Sequence, residues 1–283
     1  MEGPVTTWQW SYNGLTFGDF TNIDVVSAEG LGLPDVRSSD SIRAYGHGEF
    51  PGLDLAAGRT VVLELEGMSA TDADQATQLA SFQSAFTILT TESPLVWQFP
   101  GEAAKRINCR PRRRAFKADM PLAVGRLVRL LVELHATDPR IYADTASTLA
   151  ISFPTGAGTG ITFNATANFS FGSATTGGTG IATNDGAVAS PWVCVLAGPL
   201  TDPRLTNVTA DRTLSLTGTI AAGETLVIDS GARTALLNGT SSRYSWIDTT
   251  AKWWDLAPGA NSLRFTGASG SGTATFTWRS AWL

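Results

Sequence analysis

The second half of the sequence is a series of short β-prone runs that are interrupted by glycine-rich turns. From Ile141 onward, turn signals recur about every 8–12 residues and no helical period is present, which is typical of an antiparallel β-sandwich. Charges are also sparse here, because seven basic and seven acidic residues follow Asp144, whereas 13 basic and 18 acidic residues lie up to and including it. This change in composition predicts a boundary near residues 143–150, with domains at 1–145 and 146–283.

The first domain is predicted to combine strands with one helix. Asn13-Gly14 stands between aromatic flanks, a strong signal for a β-hairpin. Thr71 is the expected N-cap of a helix over about residues 72–89, in which apolar residues recur at spacings of three and four. We therefore expect a mainly β protein of two β-sandwich domains, the first with one flanking α-helix and the second an antiparallel sandwich.

Candidate catalytic groups are few. The chain has only two histidines, His47 and His135, and no Cys or His at metal-binding spacing. Glu64 and Glu66 share one face of a strand and could imitate a glycosidase pair, but a solvated outer face explains them better. We expect no catalytic residue, no metal site, no cofactor and no enzymatic activity.

A basic segment is the sharpest anomaly in the composition. Residues 105–117 hold seven of the 13 basic residues of the first part: Lys105, Arg106, Arg110, Arg112, Arg113, Arg114 and Lys117. Three interpretations stay open, namely a nucleic-acid contact, an exposed edge whose charges block strand pairing, and an interface with another copy. The interface is favoured, since the net charge of −5 and the single cluster argue against nucleic-acid binding. No stretch is apolar enough to span a membrane.

Two adjacent tryptophans precede the turn Pro258-Gly259. Strand alternation assigns Trp254 to an inner face that also includes Leu256, Leu263, Phe265, Phe276 and Trp278. Trp253 and Asp255 lie on the opposite face, where they are candidates for docking or for stacking against a glycan.

Several ordered features resemble a known family. They are the segment GLGLPDVRSSDSIR, the Gly46-His47-Gly48 turn, Gly58-Arg59 before a strand, the helix, and Asp138-Pro139-Arg140-Ile141-Tyr142. Together these resemble the N-terminal domain of distal tail proteins from long-tailed, non-contractile phages. The ending WWDLAPGANSLRFTGASGSGTATFTWRSAWL is similar to the final hairpin of minor tail proteins from actinobacterial phages.

The resemblance implies a structural virion protein of the tail tip, synthesised in the host cytoplasm. Family members form a homo-hexameric ring that joins the tail tube to the tail-tip hub and to peripheral fibre or receptor-binding proteins, and an extended arm or hairpin commonly clasps the neighbouring copy. The resemblance implies a galectin-like second sandwich, and an alternative role in carbohydrate binding follows from that domain. The Gly/Thr-rich region 155–186 does not align with the family.

Overall fold

The computed structural model describes residues 5–117, 126–154 and 178–283. The chain divides into two compact units, one of Met1–Asp144 with Trp282–Leu283 and the other of Thr145–Ala281. Most of the Gly/Thr-rich region, residues 155–177, lies outside the described residues. In the part of the chain that the structure covers, no helix is long and apolar enough to cross a membrane.

Strands dominate both units. Those of the first part are β1 (Gln9–Tyr12), β2 (Leu15–Gly18), β3 (Ile23–Glu29), β4 (Val36–Arg37), β5 (Ser41–Ile42), β6 (Glu49–Phe50), β7 (Leu55–Ala56), β8 (Arg59–Met68), β9 (Ser93–Trp97), β10 (Lys105–Lys117), β11 (Leu127–Ala136) and β12 (Ile141–Ala143). Those that follow are β13 (Ser147–Ser152), β14 (Thr179–Asn184), β15 (Trp192–Ala197), β16 (Leu200–Thr201), β17 (Arg204–Asn207), β18 (Arg212–Ser215), β19 (Thr219–Ile220), β20 (Thr225–Asp229), β21 (Thr234–Leu237), β22 (Ser241–Ser242), β23 (Gly259–Thr266), β24 (Ser269–Gly270), β25 (Thr273–Trp278) and β26 (Ala281–Trp282). One α-helix, α1 (Asp72–Ala85), and one short 3₁₀ helix (Tyr244–Trp246) complete the described elements.

The first unit is built on antiparallel strands in the order β2-β1-β9-β10-β11-β8-β3. The predicted hairpin is present, with β1 and β2 joined by Asn13 and Gly14, both at left-handed φ. Strand β8 alternates as its sequence predicts, so Leu63 and Leu65 are buried while Glu64 points to solvent. Strand β10 is long enough to pair with two different strands. Its first half pairs with β9 and its second half pairs with β11.

Helix α1 begins as the sequence predicts. Thr71 caps it, and a reciprocal capping box joins Thr71 to Asp74. Phe82 and Phe86 are buried in the core, with the Phe86 ring 5.1 Å from that of Tyr12. The helix ends at Ala85 rather than near Leu89, since Phe86 already leaves helical backbone angles and the β-branched residues after it favour extended chain.

The second unit is the antiparallel β-sandwich that its turn spacing predicts. Its two main sheets have the orders β13-β25-β15-β20-β21-β22 and β14-β23-β17-β18, and a small sheet has the order β19-β16-β24. The predicted inner face is confirmed: Trp254, Leu256, Leu263, Phe265, Phe276 and Trp278 are all buried in one core. Trp192 joins them, its ring centroid 4.4 Å from that of Trp254 and its Nε1 donating to the Trp254 carbonyl at 2.9 Å.

Candidate functional site

Residues 31–57, which we call the arm, form an extended hairpin of the first unit. Strand β4 pairs with β7 near its base, and β5 pairs with β6 further out. The Gly46-His47-Gly48 segment forms the tip, where both glycines adopt left-handed φ. Every residue from Asp35 to Leu55 is exposed, so this part of the arm is not buried against any other described segment of the chain.

The arm carries large apolar side chains in spite of this exposure. Ile42 is 83% and Tyr45 99% exposed. The full set of exposed large apolar residues on the arm is Leu33, Val36, Ile42, Tyr45, Phe50, Leu53 and Leu55. A concentration of apolar surface on one segment is a mark of an interaction site, because its exposure to water is unfavourable.

Hydrogen bonds hold the two sides of the arm together between its ladders. The Ser39 hydroxyl accepts from the Leu53 amide at 2.8 Å, and the Asp40 carboxylate accepts from the Gly52 amide at 2.6 Å. That backbone hydrogen bond from Gly52, together with one involving the Ser38 hydroxyl, lowers the pKa of Asp40. A Cβ on Gly52 would lie 2.3 Å from the Ser39 carbonyl group, so the close approach requires glycine. The arm is thus a defined hairpin.

The base of the arm is held by a buried arginine. Arg59 begins β8 and is 2% exposed. Its Nη1 donates to the Gly30 carbonyl at 2.8 Å and also to the Gly32 carbonyl. Its Nε donates to the Pro139 carbonyl at 2.9 Å. Because a buried charge is tolerated only when it is well hydrogen-bonded, these three carbonyls stabilise both the guanidinium and the chain that enters the arm.

The turn that presents Pro139 is itself fixed by a polar cluster. The Asp138 carboxylate accepts hydrogen bonds from Arg140 Nε at 2.9 Å and from the Tyr142 hydroxyl at 2.6 Å. Burial raises the pKa of Asp138, but these hydrogen bonds outweigh burial and hold the pKa below its usual value. Three of the features that resemble the tail-protein family therefore meet at the base of the arm. They are the glycine-rich segment, Gly58-Arg59 and Asp138-Pro139-Arg140.

Gly30 completes the base of the arm. Its φ is +82°, and a Cβ there would lie 2.0 Å from the Thr60 carbonyl oxygen. Any other side chain would therefore strain the backbone and displace β8 at the point where the arm begins.

The basic residues of β10 are dispersed over several local contacts. At the start of the strand, Lys105 pairs with Glu102 at 2.7 Å and Arg106 with Asp144 at 3.0 Å. Further along, Arg114 donates to the carbonyls of Gln83 and Phe86 at the end of helix α1, where a positive charge is favourable. These residues therefore have roles within their own unit.

The middle of β10 is more open. Arg113 pairs with Glu133 at 3.0 Å, and Arg112 is the extra residue of a β-bulge and has no ion-pair partner among the described residues. Arg110 is half-buried, and its Nε has no hydrogen-bond partner in the described part of the chain. Of Lys117, only the backbone pairing with Arg129 is described. An interface role for the segment stays a prediction, and the arm, which composition did not single out, is the stronger candidate.

The remaining sequence-based candidates are not residues of the arm. Glu66 forms an ion pair with Arg129 at 3.4 Å on a solvated face. Within residues 5–117, 126–154 and 178–283, no group of His, Cys, Asp or Glu side chains is arranged to hold a metal ion. Trp253 is half-buried and packs against the core of the second unit, and Asp255 accepts from the Ser230 hydroxyl at 3.2 Å.

If Trp253 stacks against a sugar, replacing it with alanine is expected to abolish glycan binding, because stacking on the indole face would supply most of the contact area. Binding to a glycan array measures this, with Trp8→Ala as a control, since Trp8 is an exposed tryptophan of the first unit. An array on which the wild-type protein binds nothing would contradict a lectin role.

Comparison with known proteins identifies the fold. Residues 185–282 match the family model described as siphovirus-type tail component, C-terminal domain. The Dit protein of phage SPP1, described as a paradigm of the hub adsorption apparatus in phages that infect Gram-positive bacteria, is similar with a TM-score of 0.68 and 12% identity, over 97% of this chain and 99% of that chain.

A second solved structure has the same architecture. A chain of the phage P2 baseplate, in its activated conformation with Ca, is similar with a TM-score of 0.56 and 10% identity, over 96% of this chain and 97% of that one. No curated protein sequence matches the chain significantly. The C-terminal part of the chain, residues 185–282, thus matches a siphovirus-type tail component domain, and the chain as a whole has the fold of the SPP1 Dit protein.

Proposed function

We propose that this protein is a structural component of a phage tail tip, in which six copies form a ring that joins the tail tube to the tail-tip hub and the receptor-binding apparatus. The fold it shares with a phage hub protein and a baseplate chain supports this role. The exposed apolar arm is the observation that carries the proposal, because a ring needs a contact that one copy offers and the next receives.

The arm fits a head-to-tail contact for a physical reason. In a ring, each subunit uses one surface to contact the next and a different surface to contact the previous one. A hairpin whose backbone is held by its own hydrogen bonds, while its apolar side chains face water, supplies one of those two surfaces. Burial of Ile42, Phe50 and Leu53 against a neighbour would remove this exposed apolar area from water and so favour assembly.

The second unit is proposed to attach peripheral fibres or receptor-binding proteins. Residues 185–282 match a tail-component domain. A β-sandwich whose core is packed with aromatic side chains also offers a rigid surface for attachment. Glycan recognition by this galectin-like unit, and an actinobacterial host, stay predictions.

We expect the purified protein to form a discrete species of six times the 29.8 kDa mass of one chain. Light scattering coupled to size exclusion measures this, and electron microscopy of negatively stained particles would show rings. A strictly monomeric protein, across a wide range of salt and protein concentration, would contradict the proposed ring.

A further inference from the structure

A cleft in the first unit is lined by residues from both ends of its strand order. Strands β2 and β3 are the two terminal strands of that order, and residues 19–22 connect them along the chain. The cleft has a volume of about 540 Å³, and its lining includes Gly18 at the end of β2 and residues 24–28 of β3. We call it the seam cleft.

The seam cleft follows the free edge of β3. Residues 24–28 line it in succession, although successive side chains of a strand point to opposite faces of the sheet. A cleft that contacts both kinds of residue runs along an edge of the strand. One edge of β3 pairs with β8, and in the described ranges of the chain no strand pairs with the other. The backbone groups on that edge are therefore available to an added strand.

Aromatic rings form the apolar part of the lining. Trp8 is 53% exposed, and its ring centroid lies 5.6 Å from that of Phe99 in an edge-to-face contact. Phe99 in turn contacts the buried ring of Trp10 at 5.9 Å, and all three residues line the cleft. An exposed indole that is supported by other rings offers a face on which a cation can bind.

The backbone of Trp8 is held in a strained conformation. Its φ is +64°, a left-handed value that is rare for a bulky residue. Its amide donates to the Gln98 carbonyl at 2.8 Å, and its carbonyl accepts from the Asp19 amide at 3.1 Å. A Cβ on Gly18 would lie 2.2 Å from the Trp8 carbonyl oxygen, so glycine is required at this close approach. Strain that the surroundings enforce is concentrated at functional sites, and here it accompanies an exposed indole.

The charge of the seam cleft is negative. Asp19 and Asp24 both line it and are exposed, and none of its described lining residues is basic. Neither carboxylate forms an ion pair with another described residue. The sequence supplies no cation close by, because the first 36 residues contain five acidic residues and no Lys, Arg or His. An acidic cleft with an aromatic wall suits a cationic ligand.

Arginine is the side chain that fits these features best. Its guanidinium is planar, stacks on aromatic rings and pairs with carboxylates through two parallel hydrogen bonds. The free edge of β3 favours an arginine on an extended peptide segment, since a small free cation could not use the backbone groups. The arm of a neighbouring copy fits poorly, because it is itself acidic, with four acidic and two basic residues.

We infer that the seam cleft binds an arginine side chain on an extended segment of a protein other than this chain. The guanidinium stacks on Trp8 and pairs with Asp19 or Asp24, while the backbone of the segment adds along the free edge of β3. This goes beyond the proposed ring and does not depend on it.

A labelled peptide tests the site on the full-length protein. The probe is a fluorescein-labelled hexapeptide that alternates valine with arginine, and fluorescence anisotropy measures its binding. The control peptide carries citrulline in place of arginine, which keeps the shape of the side chain without its charge. We expect the citrulline peptide to bind about tenfold more weakly, because it loses both the ion pair and the cation–π contact. Salt should weaken binding of the arginine peptide, since it screens exposed charges.

Two variants locate the binding site. Asp24→Asn is expected to weaken binding of the arginine peptide by about fivefold, the loss typical of an exposed ion pair. Trp8→Leu keeps an apolar side chain but removes the indole face, and we expect a loss of about two- to fivefold. The matched control is Glu49→Gln, which makes the same change in net charge at an exposed residue of the arm and should bind as the wild-type protein does.

Several results would overturn the inference. They are equal binding of the two peptides, equal affinities of Asp24→Asn, Trp8→Leu and Glu49→Gln for the arginine peptide, and binding of arginine amide as tight as that of the peptide. The last result would indicate a site for a free cation. Thermal melting of each variant shows that its fold is unchanged.

The same variants separate this inference from the proposed ring. Asp24→Asn should assemble as the wild-type protein does, because the site receives a different protein. Rings that are lost in Asp24→Asn but kept in Glu49→Gln would show that the seam cleft receives a neighbouring copy, which contradicts the inference. A monomeric wild-type protein that binds the arginine peptide as expected would support the inference and overturn the ring alone.

Discussion

Arg59→Met is expected to lower the free energy of unfolding of the first unit by about 3–5 kcal/mol. Methionine can occupy much of the same volume, but it donates no hydrogen bond to the carbonyls of Gly30, Gly32 and Pro139. These buried acceptors would then lose charge-assisted partners that contribute about 1.5–3 kcal/mol each, and part of this loss is offset because the desolvation cost of the buried guanidinium is removed as well. Amide hydrogen exchange in β8 measures the effect, because it reports on the first unit separately in a chain of two units.

A matched control distinguishes the effect of losing a buried arginine from the effect of losing any arginine. Arg43 is an exposed residue of the arm that lies over the Phe50 ring at 5.0 Å, and Arg43→Met is expected to change stability by less than about 1 kcal/mol. Arg59→Met should also speed exchange of the Ala57 amide, which donates to the Asp35 carbonyl at the start of the arm. A loss of stability below about 1 kcal/mol, or equal effects of the two substitutions, would show that Arg59 does not anchor the arm.

The elements with a regular pattern could be predicted from the sequence. Asn13-Gly14 selects a tight hairpin because both residues accept left-handed φ, and alternation in β8 follows from one face being buried. Thr71 and Asp74 form a capping box whose signature is local in sequence. The same holds for the aromatic residues of β25, which alternate with threonine because one face of the strand lies against the core.

The arm could not be predicted in this way, for two physical reasons. Its ladders are two residues long and lie on no core, so neither a period nor a buried face marks them in the sequence. The residues that anchor the arm also leave no pattern in the sequence. Arg59 binds backbone carbonyl groups, and every residue has one. What the sequence did show was a set of glycines, an arginine and an Asp-Pro-Arg turn in a given order, without the reason for that order.

In the basic segment, by contrast, the sequence shows a clear cluster of charges but does not determine how those charges are arranged in space. Seven charges within 13 residues suggest one patch, but successive residues of a strand point to opposite faces, and a bulge at Arg112 changes the alternation. Arg113 therefore meets Glu133, whereas Arg114 reaches the end of helix α1. Neither contact could be predicted without the register of β10 against β11.

Removal of the arm is expected to abolish ring formation while the first unit stays folded. Val36 and Ala56 are directly opposite each other in the ladder of β4 and β7, so replacing residues 37–55 with Asn-Gly closes that ladder with a two-residue turn. The deleted residues are all exposed, and we expect the free energy of unfolding to change by no more than about 1 kcal/mol. Light scattering should then show a monomer at concentrations where the wild-type protein forms rings.

The control for this deletion must remove apolar surface without touching the arm. Ile88→Ser does so at a site that is 92% exposed, and its assembly should equal that of the wild-type protein. Loss of rings in both variants would mean that assembly depends on exposed apolar area in general. Rings that persist after the deletion would show that the copies join through other surfaces, because no arm would then be present to contact a neighbour. Loss of rings in the deletion alone, with hydrogen exchange in β8 unchanged, is the result that assigns assembly to the arm.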